Sequence, residues 1–125
     1  MGMGQLSGKV ALVTGASAGL GAATAKLFAE RGATVFGIAR DAARMADVFA
    51  DIPGGSFSSV DVASSEACAQ AVADCVTTFG RLDVLANIAG FHKMRHTVSV
   101  TDDEWATDFS VNVSGTFYLC RAALP

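Results

Sequence analysis

The run Val10-Ala11-Leu12-Val13 carries no polar residue and passes through Thr14 straight into Gly15-Ala16-Ser17-Ala18-Gly19-Leu20-Gly21, a turn with G-x-x-x-G-x-G spacing. A run that is apolar on both alternating faces reads as a central strand covered on both sides, which is the condition of a parallel sheet. The glycines then have separate tasks. Gly15 permits the tight turn, Gly19 lets backbone N–H groups approach a diphosphate at the positive end of a helix, and Gly21 allows the helix to pack closely on the strand.

The same alternation of short apolar run and helical pattern occurs four times, which predicts an α/β fold with helices on both faces of a parallel sheet. A helix over about Gly19 to Arg31 sets Leu20, Thr24, Leu27 and Phe28 on one stripe, and Gly32 ends it. A strand at Thr34 to Ala39 follows, then a helix capped by Asp41 and ending near Ala50. Pro53-Gly54-Gly55 turns the chain into a third strand at Ser56 to Val60. From Ser64 to Phe79, residues Cys68, Ala71, Val72, Cys75, Val76 and Phe79 form the buried stripe of a helix closed by Gly80. A fourth strand spans Leu82 to Asn87. Thr101-Asp102-Asp103-Glu104 then opens a long helix as a capping box, with Trp105, Phe109, Val113 and Phe117 along one seam. Residues 6–125 form one unit on this reading, and residues 1–5 a disordered N-terminus or expression scar.

Composition narrows the class. Hydrophobic residues make up 51% and charged residues 17% of the 125, which excludes a disordered acidic or basic tail protein. A net charge of -3 gives no footprint for a nucleic-acid partner. Apolar stretches are broken well before the roughly 20 residues that a bilayer span requires, and no export signal is visible, so no membrane partner is expected. Three cysteines without a C-x-x-C pair argue against a disulfide framework or a metal site and fit a reducing cytoplasm.

Four motifs in order, Gly8-Lys9-Val10-Ala11-Leu12-Val13-Thr14-Gly15, Asp61-Val62, Asn87-Ile88-Ala89-Gly90 and Val111-Asn112-Val113-Ser114-Gly115, resemble the short-chain dehydrogenase/reductase family from about Leu6 to Pro125. The resemblance implies a Rossmann-type sheet that binds a nicotinamide dinucleotide and a small carbonyl or secondary-alcohol substrate. It gives the pyrophosphate to the Gly15, Ser17, Gly19, Leu20 and Gly21 turn, the adenine to Asp61 and Val62, and the ribose region to Asn87, Ala89 and Gly90. Ile88 stands where a second Asn is common. Ala39 holds the place of the acid that selects a ribose 2′-hydroxyl, and Arg40 follows it, so NADP(H) is favoured over NAD(H), with Ser17 adding a hydrogen bond to the 2′-phosphate. Ala18 lacks the second basic residue that many NADP-preferring relatives carry, and Asp41 is read as a cap.

The family's hydride transfer uses Ser, Tyr and Lys with a supporting Asn, and here only Asn112 matches, in a role that requires a locally distorted helix. Tyr118 is followed by Leu119-Cys120-Arg121-Ala122, so no lysine lies one turn on, and Tyr118 reads as a packing residue. Loss of the general acid removes about 10²- to 10⁴-fold in rate, so the 125-residue chain is expected to be inactive. It reads as a sheet truncated after its fourth strand and following helix. An unpaired fourth strand and the Thr101 to Ala123 helix point to a homo-oligomer. The alternative is a non-catalytic nucleotide-binding or oligomerising truncated relative. Phe91-His92-Lys93-Met94-Arg95-His96 reads as a solvated loop; by the resemblance it borders the substrate mouth, where Lys93 or Arg95 would meet an anionic substrate.

Overall fold

The computed structural model describes residues 4–125. Four parallel strands, β1 (Val10–Thr14), β2 (Thr34–Ala39), β3 (Ser56–Ser59) and β4 (Val84–Ala86), form one sheet in the order β3-β2-β1-β4. Between them lie α1 (Gly19–Glu30), α2 (Ala42–Phe49) and α3 (Ser65–Phe79); after β4 come α4 (Asp102–Phe109), a π-helical turn (Ser110–Ser114) and α5 (Gly115–Ala123).

The pleat of the two central strands divides the core. Val10 and Leu12 of β1, with Phe36 and Ile38 of β2, face Cys68, Ala71, Val72 and Cys75 of α3 and Leu119 of α5. Val13 and Val35 point the other way, onto Ala25 of α1 and Met45 and Phe49 of α2. Strand side chains alternate with a period of two, so an unbroken apolar run serves both layers at once. Full burial of a side chain such as Leu12 or Ile38 contributes about 1.5–3 kcal/mol.

Three readings of the helices and strands change. The α1 stripe is Gly21 and Ala25, flanked by Thr24, Phe28 and Ala29, whereas Leu20 and Leu27 are 72% and 45% exposed. The cause is proximity: a Cβ on Gly21 would collide with the Gly15 carbonyl oxygen, so only small residues fit under the helix. On α3, Val76 turns outward while Cys68, Ala71, Val72 and Cys75 are buried. Strand β4 is shorter than expected, and Leu82 and Asn87 lie outside it. Most of the 1–5 segment lies outside the described residues. Gly4 and Gln5 within it enter a turn in which Ser7 N–H bonds Gly4 O at 3.1 Å and Leu6 N–H bonds Arg31 O at 2.9 Å. Among the described residues, no helix is long and apolar enough to cross a membrane.

Candidate functional site

Strand β1 ends in Thr14, a polar residue only 1% exposed. Its hydroxyl accepts hydrogen bonds from the N–H groups of Ile88 and Ala89, both at 2.8 Å, and donates to Ala86 O at 3.4 Å. The end of β4 is thereby clipped to the start of the glycine turn. Gly15 follows at φ +65°, where a side chain would be strained, and a Cβ there would come within 3.0 Å of Ala89 Cα.

The turn leads into α1 through Ala18, an extended N-cap (φ -161°, ψ 166°) whose methyl group accepts nothing. The other α-helices that open from loops are capped by their own side chains. Asp41 accepts from Arg44 N–H at 3.0 Å, Ser64 from Ala67 N–H at 3.2 Å, and Thr101 from Glu104 N–H at 3.1 Å, Glu104 returning the bond to Thr101 N–H. The first-turn N–H groups of α1 therefore have no partner of that kind, and they carry the positive end of the helix dipole.

That terminus opens into a cleft of about 420 Å³ beyond the carboxyl ends of the strands, where ligands bind in sheets of this topology. Gly15, Ser17, Leu20 and Gly21 form its base, Arg40, Asp61 and Val62 one side, and Ala89 and Gly90 the other. Gly19 is the first residue of α1, at φ +53° with open space beside it. Ser59 Oγ bonds the Arg40 carbonyl at 2.9 Å, and Asp61 Oδ1 accepts from Ala63 N–H at 3.0 Å, which fixes the backbone on that side. Among the described residues, the Arg40 guanidinium has no ion pair. Asp41 also lines the cleft, but its carboxylate is engaged at the α2 terminus.

Two sequence-predicted residues sit apart. Asn87 lies outside the cleft, because the pleat turns it with Leu85 toward the α3 and α5 side, where its Nδ2 is 3.6 Å from Cys120 Sγ. Asn112 stands behind the wall, in the π turn, where Gly115 N–H bonds Ser110 O five residues earlier. Its side chain accepts Phe91 N–H at 3.0 Å and donates to Phe91 O at 2.7 Å and Asp108 O at 2.9 Å. The loop after β4 is not wholly solvated. Lys93, His92 and His96 are exposed, whereas the Arg95 side chain is 11% exposed and bonds Asp108 Oδ2 at 3.0 Å. That cation is engaged internally, with Asp108 and Glu104.

Thr14, Phe91 and Arg95 were not assigned these roles from sequence. Only Thr14 carried a local signal, as the polar end of an apolar run; the partners of the other two lie 9–21 residues away.

The family model described as short chain dehydrogenase matches residues 9–125. D-threitol dehydrogenase of Mycolicibacterium smegmatis is 37% identical over 123 residues, covering 94% of this chain and 47% of that protein. Versicolorin reductase 1 of Aspergillus parasiticus is 39% identical over 124 residues, covering 95% and 47%. Among solved structures, a doubly substituted Serratia marcescens short-chain dehydrogenase/reductase superposes with a TM-score of 0.89 at 36% identity, covering 94% of this chain and 50% of that one. A variant actinorhodin polyketide ketoreductase with NADPH gives 0.89 at 29% identity, covering 93% and 46%. The chain spans about half the length of the curated relatives it matches. With the matched region running from the first strand through the π turn, and with the glycine turn at the head of its cleft, the chain belongs to the short-chain dehydrogenase/reductase family.

Proposed function

We propose that these residues supply the nucleotide-binding part of an NAD(P)(H)-dependent oxidoreductase that interconverts a small carbonyl compound and its secondary alcohol. The observation that carries the reading is the uncapped terminus of α1, opening into a glycine-lined cleft while α2, α3 and α4 cap themselves. A diphosphate would complete the unpartnered N–H groups and meet the positive end of the dipole. Gly15, Ser17, Gly19, Leu20 and Gly21 would hold it, Asp61 and Val62 would flank the adenine, and Ala89 and Gly90 would border the ribose. The nicotinamide, when bound, supplies hydride transfer. Asn112 supports a proton relay in this reading, because a π turn releases backbone carbonyls from their usual partners.

NADP(H) is favoured over NAD(H). Arg40 has no ion pair among the described residues, and Ala39 offers no carboxylate to a ribose 2′-hydroxyl. Fluorescence titration of the 125-residue chain should show tighter binding of NADPH than NADH, and Arg40→Ala should weaken NADPH by about tenfold while sparing NADH. Tighter binding of NADH would overturn the preference. Self-association through the exposed α4–α5 face and residence in a reducing cytoplasm, consistent with three free thiols, belong to the same reading.

A second reading is a nucleotide-binding or oligomerising protein without chemistry; within these residues Tyr118 has no lysine one turn on. That ring packs at the edge of the core with the Arg121 guanidinium 5.6 Å from its centroid, and Ala122 stands where a lysine partner would be. The purified chain should bind NADP(H) without oxidising it in the presence of a carbonyl compound. Whether the gene continues in frame past the Pro125 codon into a strand bearing Ser and then Tyr-x-x-x-Lys separates the two readings.

A further inference from the structure

The segment Phe91–His96 has no regular secondary structure, yet Phe91 forms part of the cleft wall. A wall without its own backbone ladder must be held by side chains, and two ties hold this one. At its start, the Asn112 amide pairs with both backbone groups of Phe91. Four residues later, the largely buried Arg95 lies between two carboxylates one helical turn apart on α4, with Nη2 3.0 Å from Asp108 Oδ2 and Nε 3.1 Å from Glu104 Oε2. The Nε contact is not aligned as a hydrogen bond, so it acts through charge.

The two ties meet at Asp108. Its carboxylate takes Arg95 and its backbone carbonyl takes Asn112 Nδ2. Glu104 is shared as well, since it also closes the capping box of α4 on Thr101. Removing the guanidinium would leave Glu104 and Asp108, one turn apart, without the cation that lies between them, only the exposed Lys93 still acting on Glu104, and would free the loop at its far end.

The geometry points to Arg95 as a positioning residue: it latches the cleft wall to α4 and so holds Asn112 and Phe91 in register without touching a ligand. Its effect on nucleotide affinity rests on the nucleotide reading above; its effect on Asn112 does not.

The test is Arg95→Met in the 125-residue chain, followed by NMR and NADP(H) titration, with the Leu12 amide of β1 as the fold control. The Phe91 amide should exchange about tenfold faster or more, and the two Asn112 side-chain amide signals should move toward those of a solvated amide. If the latched wall falls to about one tenth of the population, the apparent Kd for NADP(H) rises about tenfold. Arg95→Lys, which reaches one carboxylate, should recover part of each change, and Asp108→Asn, which keeps the carbonyl, should reproduce their direction. Lys26→Met, removing an exposed cation on α1, should alter none of them. Unchanged Phe91 exchange and Asn112 signals in folded Arg95→Met overturn the latch, as does an equal response to Lys26→Met. Should Arg95→Met lose Leu12 protection, Asp108→Asn decides by the same signals. A parent chain that binds no NADP(H) would remove the nucleotide reading alone, and the Phe91 and Asn112 signals would still decide the latch.

Discussion

The hydroxyl of Thr14 joins positions 74 and 75 residues apart, and it fixes the two lips of the cleft relative to each other. Thr14→Val keeps the shape but leaves two N–H groups without their acceptor. A loss of about 1–3 kcal/mol is expected in urea unfolding, together with weaker nucleotide binding. Gly21→Ala should cost at least as much, because its Cβ meets backbone rather than a movable side chain. The cysteines separate by burial. Cys68 and Cys75 are fully buried, and burial pushes the Cys75 thiol up to about 11 and raises Cys68, with Asp61 adding to the latter. A disulfide reagent at neutral pH should therefore modify Cys120 first and reach the other two only on unfolding. The stripe of α3 made those two burials legible in the sequence. The duty of Thr14 was not, because a hydroxyl's partners depend on strand pairing.

At the scale of elements, the informative contrast is between helices that cap themselves and α1, which does not. Asp41 and the Thr101–Glu104 box were legible as caps, since each bonds within three residues. Ala18 has the extended backbone of an N-cap and lacks the acceptor. Ala18→Asp should then stabilise the fold by about 0.5–2 kcal/mol in thermal or urea unfolding. The same carboxylate would occupy the anion's place, so NADP(H) binding should be lost. A variant that gains stability and keeps its affinity would count against the cleft as a diphosphate site. The α1 stripe was misread because helical periodicity marks the larger side chains, whereas a helix lying almost on the backbone of the turn must present its smallest. The distortion around Asn112 was expected only from the resemblance; no local residue pattern announces a π turn.

For the whole molecule, the sheet is stapled by charge at the entrance of β4. Asp83 Oδ2 accepts from Val10 N–H at 2.8 Å while Arg81 holds its other oxygen. Arg81 first, and then the Val10 N–H, hold the Asp83 carboxyl below the usual range; the Thr101 N–H and hydroxyl do so for Glu104. A carboxylate whose pKa is lower folded than unfolded contributes stability above about pH 4, and that contribution is lost as pH falls through the folded value. Stability should therefore decline below about pH 4, with a shallower slope in Asp83→Asn when unfolding is followed across that range. The outer face of α4, the π turn and α5 leaves Trp105, Phe109, Val113 and Phe117 between 45% and 61% exposed. Light scattering should show association that rises with concentration and that Phe117→Glu reduces. The amino-acid sequence by itself determined the alternation of strands and helices, the glycine turn and the self-capped helix ends, because these follow from periodicity and from hydrogen bonds a few residues long. Only the tertiary structure decided that Asn87 turns away from the cleft, that Asn112 braces its wall and that Arg95 is engaged within the fold. Those outcomes depend on which face of the pleat and which turn of a distant helix a side chain meets, and no local pattern carries that.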